Sequence, residues 1–335
     1  MKTRSPANIA RRGALKQGAV LGAAAVASLA PPSASAQSYP TRPIKIVVAY
    51  PPGGVADVWA RSIAPSLQES LGQPVIVENR SGANGNVAAD SVSKSPGDGY
   101  TFVLSTTGIE TVNHLILPKT SFDANKDLKP VAVLGDIKLF LVTKAALPPS
   151  NVKDFISYAK TNVGRLTYGS AGSGSTPHLA AELFKQSAGV FATHIPYRGA
   201  APALQDLLAS QIDFFFDPGI SFPHVRTGRL KMLAVASGSR SVLFPDVPTL
   251  TELGIKDVEA DTIFGLWAPS STPDDIVNRM HREVNKALSL PATKQRFNAV
   301  GGDATPLSIA DFKAKIRAEG LRFGAIIQSR KIQAD

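Results

Sequence analysis

Ile44-Lys45-Ile46-Val47-Val48-Ala49-Tyr50-Pro51-Pro52-Gly53-Gly54-Val55-Ala56-Asp57 joins a β-branched run to a Gly-rich break and then to the start of a periodic pattern. Trp59, Ile63, Leu67 and Leu71 recur every four residues behind it, and Gly72 closes the pattern. The stretch therefore predicts a strand, a tight loop and an amphipathic helix. The same order returns along the chain. Val75–Glu78 reads as a strand, followed by a Gly/Asn break over 82–86 and an Ala-rich helix near Val87–Ser93. A strand over Tyr100–Leu104 then ends in Ser105-Thr106-Thr107-Gly108. A second set begins near Leu139–Thr143 with a strand, and its helices are expected over 152–161, 179–187 and 201–209. Its remaining strands are expected over 166–168, 212–216 and 231–236, and a closing segment adds a strand over 263–268 and three helices. Strands that are unbroken apolar runs between helices imply parallel sheets covered on both faces, in the α/β manner.

Two similar sets suggest two lobes, with chain crossings expected near Ile137–Phe140 and Asp261–Phe264. Residues 37–138 with 263–335 would form the first lobe, and 139–262 the second. The first 36 residues stand apart. Lys2, Arg4, Arg11, Arg12 and Lys16 precede an Ala-rich apolar run, then Pro31-Pro32 and Ala34-Ser35-Ala36. That order is the pattern of an export signal cleaved between Ala36 and Gln37. Arg11-Arg12 fits twin-arginine export, although Ala14 stands where a large apolar residue is usual, so the general secretory route stays open. A periplasmic protein is expected. Removing the segment takes five of the 36 basic residues and none of the 26 acidic ones, leaving a charge of about +5 on the mature chain. The charges are scattered, which argues against a nucleic-acid partner. With no cysteine in the chain, disulfides, thiolate chemistry and Cys-held metal are excluded. The five histidines show no metal-ligand spacing, so no metal and no cofactor are expected.

Three loop features could carry chemistry. In Pro52-Gly53-Gly54-Val55-Ala56-Asp57 two glycines let backbone N–H groups approach a ligand, and the helix start behind them favours an anion. An ordinary capped turn is the plainer alternative, with Asp57 placed to cap. The loop over 169–178 is dense in Gly and Ser, with Ser170, Ser173, Ser175 and Thr176 offering hydroxyls and His178 placed to brace it. It lacks the Gly-Lys-Ser/Thr of a P-loop, so a nucleotide is not expected. Strand ends supply the third feature: Ser105-Thr106-Thr107, Tyr197-Arg198-Gly199 and Asp217. In open α/β sheets the ligand crevice lies beyond such ends. Ser175, His178 and Asp217 also spell a hydrolase constellation, but no G-x-S-x-G elbow accompanies them, and no enzymatic activity is expected.

An ordered series of motifs then adds a resemblance. Tyr39-Pro40…Arg42-Pro43-Ile44, Pro52-Gly53-Gly54…Asp57…Ala60-Arg61 and the run from Leu71 to Ala83 come first. Asp98-Gly99-Tyr100, Tyr168-Gly169-Ser170, Pro196-Tyr197-Arg198-Gly199 and Pro245-Asp246-Val247-Pro248-Thr249 follow in order. The chain resembles the Bug-type periplasmic receptors of tripartite tricarboxylate transporters over essentially its whole mature length. The resemblance implies a type II periplasmic-binding-protein fold, with two α/β domains around a ligand cleft. It also implies a bound carboxylate solute, and either delivery to a large and a small membrane subunit or service to a sensor protein. A monomer is expected. Within the resemblance, Pro52, Gly53, Gly54, Val55 and Asp57 match one carboxylate-gripping loop, and Ser170, Ser173, Ser175, Thr176 and His178 the other. Ser105 and Thr106 match a strand-end contact, and Tyr197 and Asp217 match positions facing the cleft. Val55 and Ala56 stand where some relatives carry Ser or Thr, so the grip of the first loop would rest on backbone amides.

Overall fold

The computed structural model describes residues 39–117 and 120–333. The expected export signal and its Ala36/Gln37 cleavage point lie outside them. The chain divides into one unit ending at Thr41 and another beginning at Arg42. The fold of the second unit follows.

From the first strand onward the order is β1 (Ile44–Val48), α1 (Val55–Leu71), β2 (Val75–Asn79), α2 (Asn86–Ser93) and β3 (Thr101–Thr106). Three single-turn helices follow, α3 (Gly108–Thr111), α4 (Asn113–Ile116) and α5 (Ala124–Asp127), and then the long strand β4 (Leu128–Ile137). The middle of the chain builds β5 (Phe140–Lys144), α6 (Val152–Thr161), β6 (Thr167–Ser170), α7 (Thr176–Ala188) and β7 (Thr193–Pro196). It continues with α8 (Ala200–Leu208), β8 (Phe214–Asp217), α9 (Phe222–Arg226) and β9 (Leu230–Val235). The last part adds β10 (Thr262–Pro269), α10 (Asp274–Ser289), α11 (Pro291–Ala299), β11 (Gly302–Ala304) and α12 (Ile309–Arg330).

These strands form two sheets, ordered β11-β4-β10-β3-β1-β2 and β7-β6-β8-β5-β9. Both are mixed, which corrects the expectation of parallel sheets. β1 pairs parallel with β2 and β3, and β6 pairs parallel with β7 and β8. β10 and β5, however, run antiparallel to both of their neighbours. Each is the strand that the chain lays down on entering its sheet from the other. Apolar periodicity reports burial on both faces but not strand direction, so the reversal leaves no trace in the pattern.

Side-chain alternation along β8 shows how a sheet is covered on both faces. Phe214 and Phe216 join Phe155 and Phe184 on one face. Phe215 joins Phe140, Leu204 and Phe222 on the other. In the first sheet Trp59 stacks on Phe297, with ring centres 4.1 Å apart and planes 5° from parallel. A side chain on Gly302 would lie 2.1 Å from the Trp59 ring, so the edge strand β11 can cross the indole only as glycine.

The chain passes between the sheets twice, once through Lys138-Leu139 and once just before Thr262. Both passages bond to Ala236, the residue after β9: Ala236 N–H donates to Leu139 at 2.8 Å, and Ala260 N–H to Ala236 at 3.0 Å. α12 packs nearby, where its Phe323 and Ile327 join Val112, Ile116 and Leu179 in one apolar cluster. Glu319 on this helix is buried, and one of its carboxylate oxygens has no partner among the described residues. Burial pushes its pKa up to about 7, against weaker opposing help from Thr107, Arg322 and Lys315, while Asp261 adds to the rise. A carboxyl with a folded pKa above its unfolded value holds its proton more readily in the folded state. Its contribution to stability is therefore full below the unfolded value and is lost as pH rises through about 7. Glu319→Gln is accordingly expected to be more stable than the wild type at pH 8, by up to about 3 kcal/mol. The difference should vanish by pH 5 in urea unfolding followed by circular dichroism. A difference independent of pH would contradict this assignment.

Candidate functional site

β1 runs straight into Ala49, Tyr50 and Pro51, and the loop after it turns at Gly53 with a left-handed φ of 79°. Gly54 is the N-cap of α1 in extended conformation and offers no side chain to cap the helix. The N–H groups of Val55 and Ala56 therefore find no acceptor among the described residues. That is the ordinary fate of a helix's first turn when nothing caps it, and it leaves donors and the positive end of the dipole at the surface of a cavity.

α7 begins in the same manner. Ser175 caps it, accepting from the His178 N–H at 3.4 Å, and Pro177 stands in the first turn with no N–H to give. The amide and the hydroxyl of Thr176 have no partner among the described residues. A third helix, α8, starts at Ala200 behind Gly199, again with no side-chain cap. The first turns of α1, α7 and α8 converge on one pocket, represented there by Val55, Ala56, Thr176, Pro177 and Ala200. Tyr50, Pro51 and Phe264 supply apolar wall, and Thr106 and Thr262 supply hydroxyls. The Thr262 Oγ1 is buried without a partner among the described residues. No charged side chain lines this pocket.

A second pocket adjoins it. Tyr50 and Ala171 line both, so the two share a wall. The second is bounded by the loop Gly82–Gly85 on one side and by Gly172, Ser173, Tyr197 and Arg198 on the other. Tyr50 is held in place by a 2.9 Å hydrogen bond between its hydroxyl and Thr106 Oγ1.

Of the residues singled out from sequence, Gly54, Val55, Thr106, Ser175 and Thr176 line the first pocket, and Ser173 and Tyr197 the second. Pro52, Gly53, Asp57, Ser105, Ser170, His178 and Asp217 line neither. Asp57, Ser170, His178 and Asp217 serve instead as supports of the loops. Asp57 accepts from the Gly53 N–H at 3.1 Å, from Arg61 at 2.9 Å and from Asn79 at 3.0 Å. Burial alone would raise its pKa, but those donors outweigh burial and hold the carboxyl below its ordinary value. The Gly53 amide is thus spent on Asp57 and is not free for a ligand. Asp217 is fully buried and clamps the turn after β8, accepting from Gly219 N at 2.7 Å, Ser221 N at 3.1 Å and Ser221 Oγ at 2.8 Å. Burial pushes its pKa up to about 6.

His178 braces the loop before α7, its Nδ1 accepting from the Gly174 N–H at 3.0 Å, and its ring stacks on His194 with centres 3.9 Å apart. Ser170 Oγ bonds His194 Nε2 at 2.7 Å and the Gly172 N–H at 3.1 Å. Ser175, His178 and Asp217 form no relay: the serine caps, the histidine accepts from a backbone amide, and the aspartate faces its own turn. Arg198, in the strand-end loop read from sequence, lines the second pocket, while Tyr50, Ala200, Thr262, Phe264 and Asn84 are pocket residues that sequence did not single out. Alanine and phenylalanine at such positions carry no chemical signature, and only the fold brings them together.

The cleft is tight between elements of the two sheets. A side chain on Gly199, where φ is 141°, would lie 2.4 Å from Pro51 Cδ. One on Gly174, at φ 75°, would lie 2.0 Å from Ile116 Cδ1. Gly199→Ala is expected to cost about 1–3 kcal/mol through overpacking and backbone strain, and to hold the cleft open. An increased radius of gyration in small-angle X-ray scattering would register the opening, and an unchanged scattering profile would contradict it.

Comparison with known proteins agrees with this geometry. Residues 59–332 match the family model described as the tripartite tricarboxylate transporter family receptor. The chain is 40% identical over 286 residues to protein BugT of Bordetella pertussis, covering 84% of this chain and 86% of that protein. The structure of R. palustris Rpa4515 with adipate matches with a TM-score of 0.85 at 35% identity, over 88% of this chain and 99% of the other. MatC (Rpa3494) from Rhodopseudomonas palustris with bound malate matches with a TM-score of 0.82 at 29% identity, over 86% and 100%.

Proposed function

The chain belongs to the tripartite tricarboxylate transporter receptor family, and on that premise we propose that it captures a small carboxylate at three convergent helix starts and hands it to the transporter's membrane subunits. It is a solute-binding receptor with the α/β periplasmic-binding-protein fold, and not an enzyme. The observation that carries the choice of a carboxylate is the lining of the first pocket. Free first-turn amides of α1, α7 and α8 open on it, and no acidic side chain faces them. Three dipole ends of one sign, without a compensating protein charge, make a site for an anion. The solved relatives Rpa4515 and MatC hold adipate and malate, both carboxylates. That likeness supports the same class of solute here.

Binding and delivery follow from the layout in this reading. Residues 37–138 with 263–335 act as one lobe and 139–262 as the other, and the passages at Leu139 and just before Thr262 act as the hinge. Because donors for a single carboxylate come from α1 on one lobe and from α7 and α8 on the other, the solute favours the closed arrangement by bonding both. The closed form would present the surface that docks on the membrane subunits. Export through the N-terminal segment, to the periplasm where such receptors act, belongs to the same proposal.

A thermal-shift panel of short monocarboxylates and dicarboxylates, each paired with its uncharged amide, tests the reading. A true solute at 100 times its Kd adds about 2.7 kcal/mol of stability. Acids should raise the melting temperature and their amides should not. Stabilisation by amides as strong as by acids, or by no acid at all, would count against it.

A further inference from the structure

We infer that α12 is a third link between the two lobes, and that it bends between Gly320 and Gly324 when the cleft opens. The inference rests on the two-lobe reading.

α12 is one continuous helix of 22 residues, and successive parts of it are held by different sheets. Near its start Phe312 packs on Trp267 of β10, with ring centres 5.3 Å apart, and Lys315 pairs with Asp136 of β4 at 3.5 Å. Both strands belong to the first sheet. Further along, Arg322 Nη2 donates to the Glu259 carbonyl at 2.7 Å. Ile326 packs against the cluster of Leu183, Phe184 and Phe216 that covers the second sheet. Opening the cleft would move these two sets of partners apart. A helix held by both must then bend or release one of them.

Gly320 and Gly324 stand where the partners change. They are four residues apart, so a single backbone hydrogen bond of the helix joins them. Most of the glycines that line tight contacts in this protein are there for want of space. A side chain on Gly265 would lie 2.3 Å from the Phe312 ring, and one on Gly174 would lie 2.0 Å from Ile116. The two helix glycines differ. A Cβ on Gly320 would come no nearer than 3.7 Å to Thr111, and one on Gly324 no nearer than 3.7 Å to Leu115, which are ordinary contacts. Neither residue has a positive φ. Packing and conformation would thus both accept alanine. Glycine in a helix interior is weaker than alanine, because its backbone gives up more freedom on ordering. That weakness serves a segment that has to leave helical geometry, and glycine is among the residues at which helices kink.

Double electron–electron resonance between spin labels at Glu69→Cys on α1 and Gln205→Cys on α8 tests this. Both positions are exposed, and the chain has no cysteine of its own. Distances are measured on solute-free protein, in the otherwise wild-type chain and with Gly320→Ala and Gly324→Ala together. The wild type should show a closed and an open population. Alanine keeps its helical advantage only while α12 is unbent, so the double variant should hold about fivefold less of the open population or lower still. Its melting temperature should rise by about 2–4 °C. Ala314→Gly, on an exposed position before the crossing, should lower the melting temperature and leave the wild-type distances unchanged. Should the double variant melt below the wild type, each single alanine variant is read in the same way. An open population unaffected by the alanines, or altered as much by Ala314→Gly, would overturn the inference alone. A wild type with the closed distance only would overturn the two-lobe reading, and this bend with it.

Discussion

A helix's first amides have no carbonyl behind them, and three helices in this protein leave that debt open around one pocket. The arrangement of the loops follows from keeping them open. Gly54 stands at the N-cap of α1 where Ser or Asp would have turned a side chain onto the amides, and Gly199 does the same before α8. Asp57 reaches back to Gly53 and not across Val55 and Ala56, so it stiffens the turn without filling the site with negative charge. At α7 the cap is Ser175, but it serves the His178 amide and leaves Thr176 clear. The carboxylates that sequence places near the cleft are thus turned into the loops, where backbone amides hold them, and the cavity wall is left without an acid.

Much of the fold was legible because burial and capping leave local marks. α6 is an example: Asn151 caps it by accepting from the Asp154 amide at 2.9 Å, and Phe155 and Ala159 face the core, so both its start and its apolar face could be read from residue types. Strand direction was not legible. β5 and β10 have the same unbroken apolar character as the strands that pair in parallel, and only the path of the chain between the sheets reverses them. The site divides along similar lines. Gly-rich breaks before α1 and α7 marked two helix starts. The third, at Ala200, has a sequence of alanines and proline that looks like any helix, and its place at the pocket depends on β7 delivering Gly199 against Pro51.

The two sheets are joined by two passages that both bond to Ala236, with Arg322 of α12 donating to the Glu259 carbonyl beside the second. In the proposed hinge, rotation would fall at few residues, and the glycine contacts across the cleft would be the stop for closure. A solute that bonds amides from both sides would stabilise that stop.

The claim on which the rest stands is that backbone amides, and not side chains, hold the carboxylate. Val55 allows a clean test, because Gly54 before it is extended, with φ −78° and ψ 168°. Proline is at home in the first turn of a helix after such a residue, and it removes the N–H while keeping an apolar side chain. Titration of adipate into Val55→Pro and Val55→Ala compares the pocket without and with that one amide. The account predicts affinity about tenfold weaker for the proline variant than for the alanine variant, at similar melting temperatures. Equal affinities would contradict it.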